Sequence, residues 1–209
     1  MAISEEAPLS ERQSLDLIQS MIRQAQGRFT DDGSHYLLWG WLVLGAALLH
    51  LALLQTPYAS FAAGAWLSML VGGIRTTQLG RRHRGHTTNT YTDRMVGSIW
   101  AAVGAGLGVS FCIFFTHPAA LALLYPVVLI LYGVGLFTSG SLLIFRPLQV
   151  GGGWCWGLAF TIAWLPLQAQ LIGLALGAAG GYLVPGYLLR ARFRAEQPLT
   201  PVPDAARAV

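Results

Sequence analysis

The stretch Pro118–Phe145, PAALALLYPVVLILYGVGLFTSGSLLIF, decides the class of this chain, because it runs on without one Asp, Glu, Lys or Arg. About 20 apolar residues suffice to cross a hydrocarbon core of roughly 30 Å. In lipid the backbone must satisfy its own N–H and C=O groups, so the run is expected to be helical. Outward from it lie five more apolar stretches: Tyr36–Gln55, Tyr58–Ile74, Met95–Phe115, Gln149–Leu165 and Ala169–Leu189. The whole composition agrees. Of 209 residues 54% are hydrophobic and 11% charged, and mean hydropathy is +0.53. An ordinary soluble domain carries roughly 25% charged residues. That excludes a soluble enzyme, a disordered regulator and a disulfide-stapled secreted domain. The expected fold is all-α, a polytopic transmembrane six-helix bundle over residues 36–189, between a polar segment 1–35 and a tail 190–209.

The direction of the spans follows from the arginines. All 13 basic residues are Arg, with a net charge of +4 and a pI near 9.4. Arg12, Arg23 and Arg28 precede the first span, and Arg75, Arg81, Arg82, Arg84 and Arg94 fill the second connection. Arg146 stands between the fourth and fifth spans, and Arg190, Arg192, Arg194 and Arg207 follow the sixth. The alternate connections, around Thr56-Pro57, Thr116-His117 and Pro166-Leu167, carry none. Positive charge collects on the cytoplasmic side, so both termini are expected in the cytoplasm. The same rule accounts for the basic pI without nucleic acid as a partner.

The polar segment carries Leu15, Ile18, Ile22 and Ala25 at helical spacing, widened by Leu17 and Met21. It reads as a cytoplasmic amphipathic helix that Ser10 could cap. The tail beyond Glu196, with Pro198, Pro201 and Pro203, is expected to be disordered. The first 35 residues are too polar for a cleavable leader, so the first span is expected to act as an uncleaved anchor. Cys112 and Cys155 both lie in apolar runs and read as small hydrophobes rather than a redox pair.

Catalytic chemistry finds little to work with. The spans contain no Asp or Glu, and His50 is the one ionisable side chain well inside them. A carboxylate proton relay or an intramembrane aspartyl protease would need acids at depth. A serine protease would need a base beside Ser139 or Ser141, and the fifth and sixth spans have no histidine. A haem would need paired axial histidines. His83 and His86 lack the further ligands a metal site requires. No catalytic residue, metal or cofactor is therefore expected.

Two groups of residues remain as candidates. Arg75, Arg81, Arg82, Arg84 and Arg94 match an anionic lipid or phosphate site, since guanidinium forks fit phosphate oxygens. Ser98, Thr138, Ser139 and Ser141 could line a vestibule opening to the cytoplasm, although small hydroxyl residues also glue helices together. Pro126 and the pair Pro185-Gly186 should kink their helices. Trp39-Gly40-Trp41 is echoed by Trp154-Cys155-Trp156, but interfacial tryptophans need no duplication to explain them.

The segments SLDLIQSMI, YLLWGWLVL, TYTDR, SGSLLIFRPLQVGG and GYLVPGYLLR, spread over residues 10–194, resemble a family of six-span inner-membrane proteins of Bacteroidota. The resemblance implies a topology and a bacterial host, and brings no activity or site residue with it. The expected function is non-enzymatic: a structural, regulatory or lipid-interacting protein of the inner membrane. Its partners would be membrane lipids, anionic ones included, and a second copy or a cytoplasmic protein. The alternative is a small permease or channel for an uncharged or weakly polar solute, built on the glycine-rich third, fourth and sixth spans.

Overall fold

The computed structural model of the chain describes residues 33–83 and 91–196. The expected amphipathic helix, Arg84, His86 and the tail beyond residue 196 lie outside the described residues, as do the side chains of Arg81, Arg82 and His83. Among the described residues the architecture is entirely helical, with no strand. Helix α1 spans Ser34–Leu53, and a 3-10 segment, Ala59–Leu67, leads into α2, Ser68–His83. Helix α3 spans Tyr91–Thr116, and a second 3-10 segment, Pro118–Leu123, opens α4, Leu124–Leu142. Helix α5 spans Arg146–Ile162 and α6 spans Leu167–Ala178. A π turn, Ala179–Leu183, joins α6 to α7, Val184–Glu196. Four helical rods, Ser34–Leu53, Arg94–Thr116, Ala119–Leu142 and Leu167–Ala195, are long and apolar enough to cross a membrane.

The edges differ from the sequence expectation in instructive ways. The second apolar stretch is a tight 3-10 coil before it becomes α-helix. Its residues, ASFAAGAWL, are mostly small, so the eclipsed i, i+3 side chains of a 3-10 coil do not collide. The fourth does not run unbroken to Phe145. It stops in a turn where Phe145 N donates to Gly140 O (2.8 Å) and Ile144 N to Ser141 O (3.3 Å). This is a Schellman cap, with Ile144 in the left-handed position at φ 51°.

Pro126 does not kink the middle of α4, because it stands in the first turn. There an N–H would have no role in starting the helix, but the ring still leaves the Ala122 carbonyl without its usual donor. Gln170 at the head of α6 supplies one, its Nε2 donating to Ala122 O and Leu165 O, each at 2.9 Å. Pro185 likewise follows the π turn, and the Val184 N–H reaches back five residues to Ala179 O. Gly186 serves close approach: its carbonyl oxygen would lie 2.7 Å from a Cβ on Gly33. Gly33 itself starts α1 at φ 71°, a left-handed conformation that suits glycine.

Helices α1, α4, α5 and the α6–π–α7 rod pack on one another, with α4 against α5 the most extensive pairing. Helix α2 rests on α1 and α3 on α4, both outside this core. Glycines set the closest approaches. A Cβ on Gly152 would meet Gly133 O at 2.8 Å, and one on Gly151 would meet Gly181 O at 2.9 Å. The two tryptophans of α5 then donate across the seams, Trp154 Nε1 to Leu176 O and Trp156 Nε1 to Ile130 O, both at 3.2 Å. Outward faces carry large apolar side chains, among them Phe115, Val150 and Phe160, each more than 70% exposed. Patches of that extent are what a lipid-facing surface presents.

Candidate functional site

The helix order sorts the ends of the bundle. The start of α1, the end of α2, the start of α3, the α4–α5 turn and α7 share one end. Trp39 Nε1 donates to Thr76 Oγ1 (3.1 Å), the last turns of α4 face Trp100 of α3, and Gly33 packs beside Arg190 N. At this end Arg75, Arg94, Arg146, Arg190, Arg192 and Arg194 are all exposed. The opposite end, with the turns after α1, α3 and α5, exposes no arginine among the described residues. Of the expected anion-binding arginines, Arg75 and Arg94 thus lie on the surface of one end. Arg146, Arg190, Arg192 and Arg194, which in the sequence stand out only as topology determinants, join them.

The four expected vestibule residues do not share a lining. Ser98 Oγ donates to Met95 O (2.8 Å), Thr138 Oγ1 to Val134 O (2.7 Å) and Ser141 Oγ to Phe137 O (2.9 Å), each on its own helix. Ser98 and Ser141 are exposed, and Ser141 also accepts from Gln149 Nε2 at 3.2 Å across the α4–α5 turn. Ser139 alone of the four is fully buried. The helical period explains the split. Residues 132, 136 and 139 fall on one face of α4, which is the core face, while 138 falls beside it and 141 on the far side.

Two polar clusters emerge that residue types alone did not mark. At the arginine-free end, Trp66 Nε1 donates to His50 Nδ1 at 2.9 Å, and the Tyr125 hydroxyl lies 3.3 Å from the same nitrogen. An indole N–H only donates, so Nδ1 carries no proton here, the ring proton sits on Nε2, and Tyr125 is a second donor. His50 thereby ties α1 to the 3-10 segment and to α4. At the arginine end, His35, Tyr36, Trp100, Tyr132 and Tyr182 form a continuous aromatic cluster between α1, α3, α4 and the π turn. Neither cluster was legible in one dimension, since each joins residues from three or more separate helices.

No group of three or more metal-ligating side chains occurs among the described residues. No family model, curated protein or solved structure matches the chain. The fold therefore defines the class, a helical membrane protein.

Proposed function

We propose that this is a six-span, non-enzymatic protein of the bacterial inner membrane, both termini cytoplasmic, that holds anionic lipid headgroups on its basic face. The observation that supports this reading is the one-sided charge: among the described residues, six exposed arginines lie at one end of the bundle and none at the other. Such asymmetry marks the cytoplasmic side, where the leaflet is anionic. The six-span count draws on the geometry of the two shorter rods. A 3-10 coil rises about 2.0 Å per residue against about 1.5 Å for α. Ala59–Leu67 therefore lengthens the second span, and its seven α residues to Ile74 bring it close to the bilayer core thickness. The 17 residues of α5 reach about 26 Å by the same arithmetic.

The test is lipid retention. Purified protein in gentle detergent should keep phosphatidylglycerol over phosphatidylcholine in native mass spectra. The preference should shrink with added salt and fall at least severalfold when Arg75, Arg94 and Arg190 are changed to Gln. Equal retention of the two lipids, or no effect of the three substitutions, would overturn the lipid-binding role. Reporter fusions that place either terminus outside would overturn the topology.

A further inference from the structure

Within the arginine-end half of the bundle, the ring of Tyr132 meets that of Tyr182 edge-on at 5.2 Å. Trp100 lies 5.8 Å from Tyr182, 6.1 Å from Tyr36 and 5.9 Å from His35. Enclosed there are polar atoms that no neighbour satisfies: the Tyr182 hydroxyl, Trp100 Nε1 and Ser139 Oγ. Tyr182 is 1% exposed and Ser139 0%. Ser139 follows Tyr132, Gly135 and Leu136 on one face of α4. On that face a Cβ at Gly135 would touch Trp100 at 3.2 Å, and Leu136 packs on Gly181 of the π turn. The three polar atoms thus sit on α4, α3 and the π turn, elements that meet along the face of α4 carrying Gly135 and Leu136.

Buried donors are nearly always paired, because leaving one unmade forfeits its hydration without return. An indole N–H can only donate, and tyrosine and serine hydroxyls donate readily, so what this seam lacks is an acceptor. Every described Arg side chain is exposed and the chain has no Lys, so no buried cation is at hand to balance an anion, which makes the missing acceptor a neutral one. Water is scarce at this depth, whereas lipid is adjacent. The outer wall is α3, which rests on α4 outside the core, and Trp100 on it is itself only partly buried.

We propose that this seam binds the carbonyl group of a neutral, membrane-dissolved amphiphile, which enters past α3 as the Trp100 side chain turns aside. Ser139, Tyr182 and Trp100 donate to the carbonyl oxygen, and the aromatic rings hold the flat or apolar part behind it. Carbonyls of this kind come from two sources, a quinone ring or the ester of a diacylglycerol. The proposal needs the membrane placement of the bundle but not the basic face, so the arginine substitutions above should leave it intact.

The experiment uses the full chain in detergent, with a decyl-substituted benzoquinone, dioleoylglycerol and its ether-linked counterpart as probes, read by native mass spectrometry. One carbonyl probe should bind saturably at one per chain, and the carbonyl-free ether should not. Saturation by the quinone or by the ester names the source. Ser139→Ala and Tyr182→Phe each delete one oxygen and keep the packing, and each should weaken binding about tenfold. The same two variants should raise the thermal midpoint of the ligand-free protein, since each removes an unpaired polar atom from the core. A lowered midpoint in both would show the oxygens already paired and overturn the proposal. So would binding that the variants leave unchanged, equal binding of the ether, or no saturable binding of either carbonyl probe.

Discussion

Ile144 holds φ at 51° in the turn that ends α4, and 84% of it is exposed. A β-branched side chain in the left-handed region is strained by about 1–2 kcal/mol, and so little burial returns almost none of that. Ile144→Gly should therefore stabilise the protein by about 1 kcal/mol, visible as a higher midpoint in thermal or SDS unfolding. Gly33 is the opposite case, because its positive φ coincides with contact against Gly186. His50 shows a third kind of dependence. His50→Phe keeps the ring but strips the acceptor from Trp66 and Tyr125, and should cost about 1–3 kcal/mol for each donor left unpaired. At this scale the sequence was a partial guide. It marked His50 as the ionisable side chain inside the spans, but not its partners, which stand 16 and 75 residues further on. It also grouped Ser139 with Ser141, two neighbours that the helical period sends in different directions.

At the scale of the element, Gln170 and Pro126 form one device. The proline strips a carbonyl of its donor, and the glutamine at the head of α6 replaces it. Gln170→Leu should leave Ala122 O and Leu165 O unsatisfied and destabilise by about 1–3 kcal/mol. Gln170→Glu should restore one bond at most, since a carboxyl buried among carbonyls is neutral and has a single O–H to donate. The glycines divide just as sharply. A Cβ on Gly151 would press on the backbone of Gly181, whereas Gly104 on α3 has nothing within 4 Å. Gly151→Ala should cost about 1–3 kcal/mol by forcing α5 from the π turn, while Gly104→Ala should be neutral or gain a few tenths through helix propensity. Thermal unfolding of the two variants side by side checks the contrast. Both glycines sit in apolar, glycine-rich runs, so sequence gave no means of telling the packed one from the open one. The π turn escaped for a related reason. It is one extra residue in a helix whose composition looks uniform, and the flanking Pro185 reads as a plain kink.

For the whole molecule, the legible part was the solvent. Long stretches without charge cannot face water, and four helical rods meet the length and apolarity that a bilayer demands. Charge placement was legible for the same reason, because arginines at helix ends need no tertiary contact to reveal their side. The pairing of helices was not, since in lipid it depends on small residues and stray hydrogen bonds rather than on burial of apolar faces. Charge should also be decisive in experiment. Placing two arginines in the turn at Thr56-Pro57, with Arg75 and Arg94 changed to Gln, should yield a mixed topology in reporter fusions where the parent gives a single one.

The contact of Gly33 with Gly186 and Arg190 has a consequence for how the molecule is made. Helix α1 meets α2 and the 3-10 segment early, but its larger seat lies on the α6–π–α7 rod, so for most of synthesis α1 waits in the bilayer with that mate unborn. Insertion and assembly must then be separate events, and a chain halted before Leu167 should enter the membrane normally yet remain an unclosed set of helices, open to proteolysis.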